Sequence, residues 1–290
     1  MAVPRFAFLV HPLVPLAQRL MGARFGRPGL ALGLRDGRDP DDCCELARLR
    51  YRGVEGVVIG VPWLPEQLLA DQEGALRSMQ RAVQIAGPVS HVGLGSVLSV
   101  VAGRGSALEA LVGIPVTTGN AATAWAAWRI AEQVRAGQKV GVIGAKGTVG
   151  RALVPLLGAD ADPQDLREYR VLVGTHTTGG TVAPDRLGPG TTLVDVALPP
   201  TLSGPPGPGV TVLPGERLPL PAGWERDAWG WVFHVAAGYG INHVYACLLE
   251  PLVAVLEGRG TAWQQGRNLS PDTVRAFGDA AARHGLGGFA

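Results

Sequence analysis

Between Lys139 and Leu157 the chain reads as three pieces in a fixed order. A β-branched run, Lys139 to Ile143, enters the turn Gly144-Ala145-Lys146-Gly147-Thr148-Val149-Gly150, and a helical pattern follows from Arg151 to Leu157. No other segment narrows the choice of fold so far. A strand that turns sharply through glycines into a helix aims backbone N–H groups and the positive end of the helix at one point, as a pyrophosphate requires. Side chains at 144, 147 and 150 would block that approach. The spacing is GxxGxxG, with Ala145 where the GxGxxG pattern has its first glycine, so the strand-before, helix-after setting carries more of the prediction than the glycines do. The prediction is dinucleotide binding by residues 144 to 150; the alternative is a glycine-rich turn in an ordinary α/β domain.

The flanking text supports an α/β architecture. Apolar runs at Phe6 to Val10, Val54 to Val61 and Val97 to Val101 alternate with a helix-like stretch from Pro65 to Ile85. Thr118 or Asn120 can cap an Ala-rich helix that ends at Gly137. Beyond the glycine turn, Tyr169 to Val173, Thr192 to Val196 and Val210 to Leu213 extend a parallel sheet. After Gly238 and Gly240 an apolar helix pattern runs from about Asn242 to Leu256, and a last helix starts with Ser270 as N-cap and Pro271 at its first position and ends at Gly285. The fold class is therefore α/β: a Rossmann-type doubly wound parallel sheet plus a smaller α/β substrate domain completed by C-terminal helices. The expected division is residues 1–118 for the substrate domain, 119–237 for the nucleotide-binding domain and 238–290 for helices packing back on the first.

Composition removes several classes of function. A net charge of +2, with its 26 basic residues dispersed, is no footprint for nucleic acid. Arg48, Arg50 and Arg52 read as a solvated element edge. Only Lys139 and Lys146 are lysines, which argues against amine catalysis. Three cysteines, Cys43, Cys44 and Cys247, form neither a disulfide framework nor a metal spacing, and a reducing, cytoplasmic setting is expected. The apolar opening is interrupted by His11, Pro12 and Pro15, and no run approaches the roughly 20 apolar residues of a membrane span.

Two further groups of residues carry chemistry. Where NAD-binding domains end their second strand in Asp or Glu, the run Tyr169 to Val173 is followed by Gly174, Thr175, His176 and Thr177. With no carboxylate to repel a 2′-phosphate, Thr175, His176 and Thr177 are expected to favour NADPH. Cys247 by itself is a small buried hydrophobe, but in a helix His243 would stack four residues before it and could generate a thiolate. A capping or surface role for His243 is the alternative.

Several separated motifs then occur together: Leu64-Pro65-Glu66, Leu94-Gly95 with Ser99, Thr117-Thr118-Gly119-Asn120, Val142-Ile143-Gly144-Ala145 with Gly147 and Gly150, Tyr245-Ala246-Cys247, and Gly266-Arg267-Asn268 with Arg283-His284-Gly285. In this order they resemble the aldehyde-forming long-chain acyl-[acyl-carrier-protein] reductases of the cyanobacterial type, which are distantly related in architecture to glutamyl-tRNA reductase and shikimate dehydrogenase. The resemblance implies that Cys247 takes the acyl group from a thioester of acyl carrier protein or coenzyme A. It also implies that NADPH delivers hydride to give an aldehyde, with Thr118 and Asn120 near the reacting carbonyl. Two alternatives remain open: a shikimate-dehydrogenase-like oxidoreductase with direct hydride transfer, and a non-catalytic nucleotide-binding protein.

Overall fold

The computed structural model describes residues 4–24, 28–33, 36–227 and 242–288. The expected boundary at 237/238, with Gly238 and Gly240, lies outside the described residues. Two compact units emerge: Met1–Gly119 with Leu220–Gly266, and Asn120–Pro219 with Arg267–Ala290. Both are α/β, and the second carries a Rossmann-type parallel sheet.

In the first unit the elements run β1 (Arg5–Val10), α1 (Pro15–Arg24), α2 (Pro28–Ala31), β2 (Cys44–Tyr51), β3 (Val54–Gly60), α3 (Pro65–Ala70), α4 (Gln72–Ala86), β4 (His91–Leu94), α5 (Leu98–Val101), α6 (Ser106–Val112) and β5 (Val116–Thr117). Its six-stranded sheet has the order β12-β2-β3-β1-β4-β5, where β12 (Glu225–Arg226) arrives from late in the chain. β1 runs parallel to both β3 and β4, whereas β2 is antiparallel to β3.

The unbroken apolar text of Phe6 to Val10 follows from cover on both faces of β1. Ala7 and Leu9 join Met79 and Ala82 of α4 in one core. Phe8 and Gly93 lie on the opposite face beside Pro251. The helix-like stretch from Pro65 is two helices, because Asp71 accepts a hydrogen bond from the Gly74 N–H at 2.8 Å and so caps a new start. The strand near the apolar run 97–101 is β4, which ends at Leu94, and the run itself supplies the short α5. Arg48 and Arg50 lie on β2 as solvated residues paired with Glu45 and Glu55.

The second unit holds α7 (Asn120–Arg135), β6 (Val140–Ile143), α8 (Thr148–Leu157), β7 (Asp160–Ala161), β8 (Val171–Gly174), β9 (Thr192–Asp195), β10 (Thr211–Pro214) and β11 (Arg217–Pro219). Its five-stranded sheet, ordered β10-β9-β8-β6-β7, is parallel throughout. Alternation along β8 divides its cover: Val171 and Val173 pack with Ala127 and Ala131 of α7, while Leu172 packs with Leu166, Leu187 and Leu202.

The chain then returns to the first unit through β13 (His243–Tyr245) and α9 (Ala246–Leu256), and ends in the second with α10 (Pro271–Arg283). Ser270 caps α10 by accepting the Thr273 N–H at 3.0 Å, ahead of Pro271. Phe277 of α10 is fully buried and meets the Trp125 ring of α7 edge-on at 5.7 Å, and Gly278 leaves the indole room. Among the described residues no helix is long and apolar enough to cross a membrane.

Two expectations follow. Phe277→Ala empties a site that α10 cannot refill, and should lower stability by about 3–5 kcal/mol, read as a drop in the urea midpoint. His11, just past β1, is 8% exposed, and burial pushes its pKa down to about 4 against the weaker pull of the Pro12 carbonyl. The folded protein therefore prefers the neutral ring. This contribution is fully present above the unfolded value near 6.5 and is lost as pH falls toward about 4. Urea titrations across that window should show stability falling with acidity, and His11→Gln should flatten the slope.

Candidate functional site

The glycine turn joins the end of β6 to the start of α8. Gly144 adopts a φ of +83°, and a side chain there would overlap the His176 ring. The Gly147 N–H donates to the Gly144 carbonyl at 3.0 Å, closing the turn. Gly150 lies so close to the Gly144 carbonyl that a Cβ would overlap it. Lys146 and Gly147 are exposed, Thr148 and Val149 are half-buried, and Ala145 is buried. The first-turn N–H groups of α8 have no intrahelical carbonyl to donate to, so the turn and helix present donors together at the end of the sheet.

A carboxylate missed in the sequence completes this arrangement. Asp162 follows β7 directly, and its Oδ1 accepts the Gly144 N–H at 2.7 Å and the Ala145 N–H at 3.1 Å. Its Oδ2 accepts no hydrogen bond among the described residues. Asp162 stands 18 residues after Gly144, in the range where an acidic residue after the second strand reads ribose hydroxyls. That spacing was the available signal. It was overlooked because β7 is only two residues long and has no apolar run.

Sheet order places Thr175, His176 and Thr177 after β8, which is not the second strand of this sheet. The chain leaves β6 for β7 on one side, then returns to β8 on the other, so β8 is the strand across the topological switch point. These three residues follow β8 and therefore flank the crevice beside β6, on the other side of it from β7 and Asp162. Thr175 Oγ1 donates toward the carbonyls of Ile143 and Gly144 at 2.9 and 3.0 Å, which ties β8 to the turn. His176 packs on Gly144, and Thr177 is exposed. The inference of a 2′-phosphate site without a carboxylate does not hold in this geometry.

The remaining candidates divide between the units. Asn120 opens α7 in the second unit and is half-buried. Thr118 and Cys247 belong to the first, where the turn after β5 is held by side chains from two other segments. Thr117 donates its hydroxyl to Glu250, a fully buried carboxylate on α9, and Thr118 donates to the Gln264 side chain. The Thr118 N–H also reaches the Gln264 carbonyl at 3.3 Å. Gly119, at φ +77°, passes so close to Cys247 that a Cβ would overlap the cysteine's own. Cys247 is the second residue of α9 and is half-buried. His243 lies on β13 and is exposed, so the helical i, i+4 stacking expected of His243 and Cys247 is absent.

No protein-family model matches the chain. The chain is similar to "Aminotransferase PigE" of Serratia sp. (strain ATCC 39006), with 25% identity over 80% of this chain and 32% of that protein. It thus spans about a third of the length of the curated relative it matches. Among solved structures it is similar to a 5,10-methylenetetrahydrofolate dehydrogenase from the silkworm, Bombyx mori, with 13% identity, 74% of this chain and 82% of that chain covered, and a TM-score of 0.32, too low to carry an argument. The similarity to an aminotransferase overturns the resemblance to acyl-[acyl-carrier-protein] reductases, and with it the fatty-aldehyde chemistry and the shikimate-dehydrogenase-like alternative. NADPH is corrected by the same finding.

The three thiols differ in access. Cys43 and Cys44 are buried, and burial pushes the Cys43 thiol up, whereas Cys247 is half-buried. Iodoacetamide added to the native protein should therefore label Cys247 first, with Cys43 and Cys44 reacting only in urea. Peptide mapping of a time course checks this order.

Proposed function

We propose that the chain is a ribonucleotide-binding module of an enzyme of amine transfer, with a phosphate held at the turn between β6 and α8 and the ribose hydroxyls at Asp162. The observation that carries the ligand class is the Asp162 carboxylate. One oxygen is anchored on the Gly144 and Ala145 N–H groups, while the other is left to accept from a ligand. An anchored carboxylate at this place favours a free diol and repels a 2′-phosphate. Supporting this reading are the glycines that admit a phosphate to the backbone at 144, 147 and 150 and the position of the turn at the switch point of a parallel sheet. The enzymatic setting is supported by the similarity to Aminotransferase PigE, which reaches about a third of that protein. The chain accordingly serves the transfer as one module. In the first unit, Cys247 is proposed as the reactive thiol.

Calorimetric titration tests the nucleotide site. ADP is expected to bind more tightly than its 2′-phosphorylated counterpart. Asp162→Ala should weaken ADP by roughly tenfold or more, the size of a lost hydrogen bond to a charged group. Gly147→Val should weaken both ligands alike, because it blocks the phosphate they share. Equal affinity for the two ligands, or an Asp162→Ala variant that binds ADP as the parent does, would sink the assignment.

A further inference from the structure

Amine transfer runs on pyridoxal phosphate, which supplies an electron sink and is held by an enzyme as an imine with a lysine. Such a lysine needs a setting that keeps its amine neutral and dry, and a carboxylate is needed for the pyridine nitrogen. This chain offers Lys139 and Lys146 and no other lysine. Both lie among the described residues.

Neither fits. Lys139 precedes β6, at the end of the sheet away from the glycine turn, separated from it by the roughly 13 Å that four strand residues span. Its side chain is 61% exposed, and its Nζ lies 2.6 Å from Asp160 and 4.9 Å from the centre of the Tyr169 ring. Tyr169 donates its hydroxyl to the same carboxylate. Asp160 first, and Tyr169 second, hold the Lys139 pKa above its ordinary value, which keeps the amine protonated and non-nucleophilic. Lys146 has the opposite defect. It stands in the exposed part of the glycine turn, with no hydrogen bond or ion pair among the described residues. The carboxylate of that turn, Asp162, is held on the Gly144 and Ala145 N–H groups at the place proposed for ribose hydroxyls, and Lys146 makes no ion pair with it. Solvent surrounds this amine, and nothing positions it.

We infer that this chain does not itself carry pyridoxal phosphate, and that the amine transfer it serves uses an imine-forming lysine from a separate pyridoxal-phosphate-bearing domain or subunit. The inference rests on the proposed function for its context, but the lysine argument is independent of the nucleotide site. It also accounts for a relative named for amine transfer of which this chain spans only about a third.

The test uses purified protein that shows a cooperative urea transition. Pyridoxal phosphate is added, the mixture is reduced with borohydride, and pyridoxyl groups are located by intact mass and peptide mapping. A parallel sample receives glutamate to see whether the coenzyme is converted to pyridoxamine phosphate. The expected result is scattered labelling well below one group per chain and no conversion. One pyridoxyl group per chain on Lys139 or Lys146, discharged by glutamate, would overturn the inference. An ADP titration of the same preparation separates the two claims. Absent ADP binding with no adduct sinks the nucleotide site and leaves this inference standing, and ADP binding with a stoichiometric adduct does the reverse.

Discussion

Two backbone N–H groups, those of Gly144 and Ala145, converge on one oxygen of Asp162, and the rest of the second unit is arranged so that they can. The contact spans the short strand β7, which follows a ten-residue helix and has only two residues in which to pair with β6. A charged acceptor shared by two donors is among the stronger hydrogen-bonding arrangements available to a loop. It fixes the turn from the β7 side, while Thr175 fixes it from the β8 side through the carbonyls of Ile143 and Gly144. The glycine backbone is therefore held in shape from both neighbouring strands.

The first unit uses buried side chains for a comparable purpose. Glu250 and Gln264 accept the hydroxyl protons of Thr117 and Thr118, so the turn leading to Gly119 is tied to α9 and to the segment beyond it. A fully buried carboxylate costs stability unless it is hydrogen-bonded, and Thr117 supplies that partner. The sequence offered no sign of this, because Thr117 and Glu250 are 133 residues apart and a lone glutamate in an apolar helix resembles a solvated one.

Legibility followed the length and periodicity of each element. β1, β3, α7, α8 and α10 stood out because their apolar runs or caps are local, as with Ser270 before Pro271. The glycine turn was equally plain. β7 was not, since two residues cannot show a period, and its loss shifted the expected second strand onto β8 and supported the NADPH expectation. The same limit applied at His243. An apolar helical pattern continues backward from Leu256, and only pairing in three dimensions makes 243–245 a strand, which removes the stacking that local spacing suggested. A family likeness assembled from short separated motifs was overturned by similarity measured along the chain.

The path of the chain between its two units bears on how the protein can be made. The first unit is built from residues 1–119 and 220–266, and the second from 120–219 and 267–290. During synthesis, β1 to β5 leave the ribosome long before α9, so Phe8 and Gly93 wait without Pro251 against them. The second unit likewise lacks Phe277 beside Trp125 until α10 emerges. Neither unit can be released by a single cut, because each is built from two stretches of the chain separated by a stretch of the other.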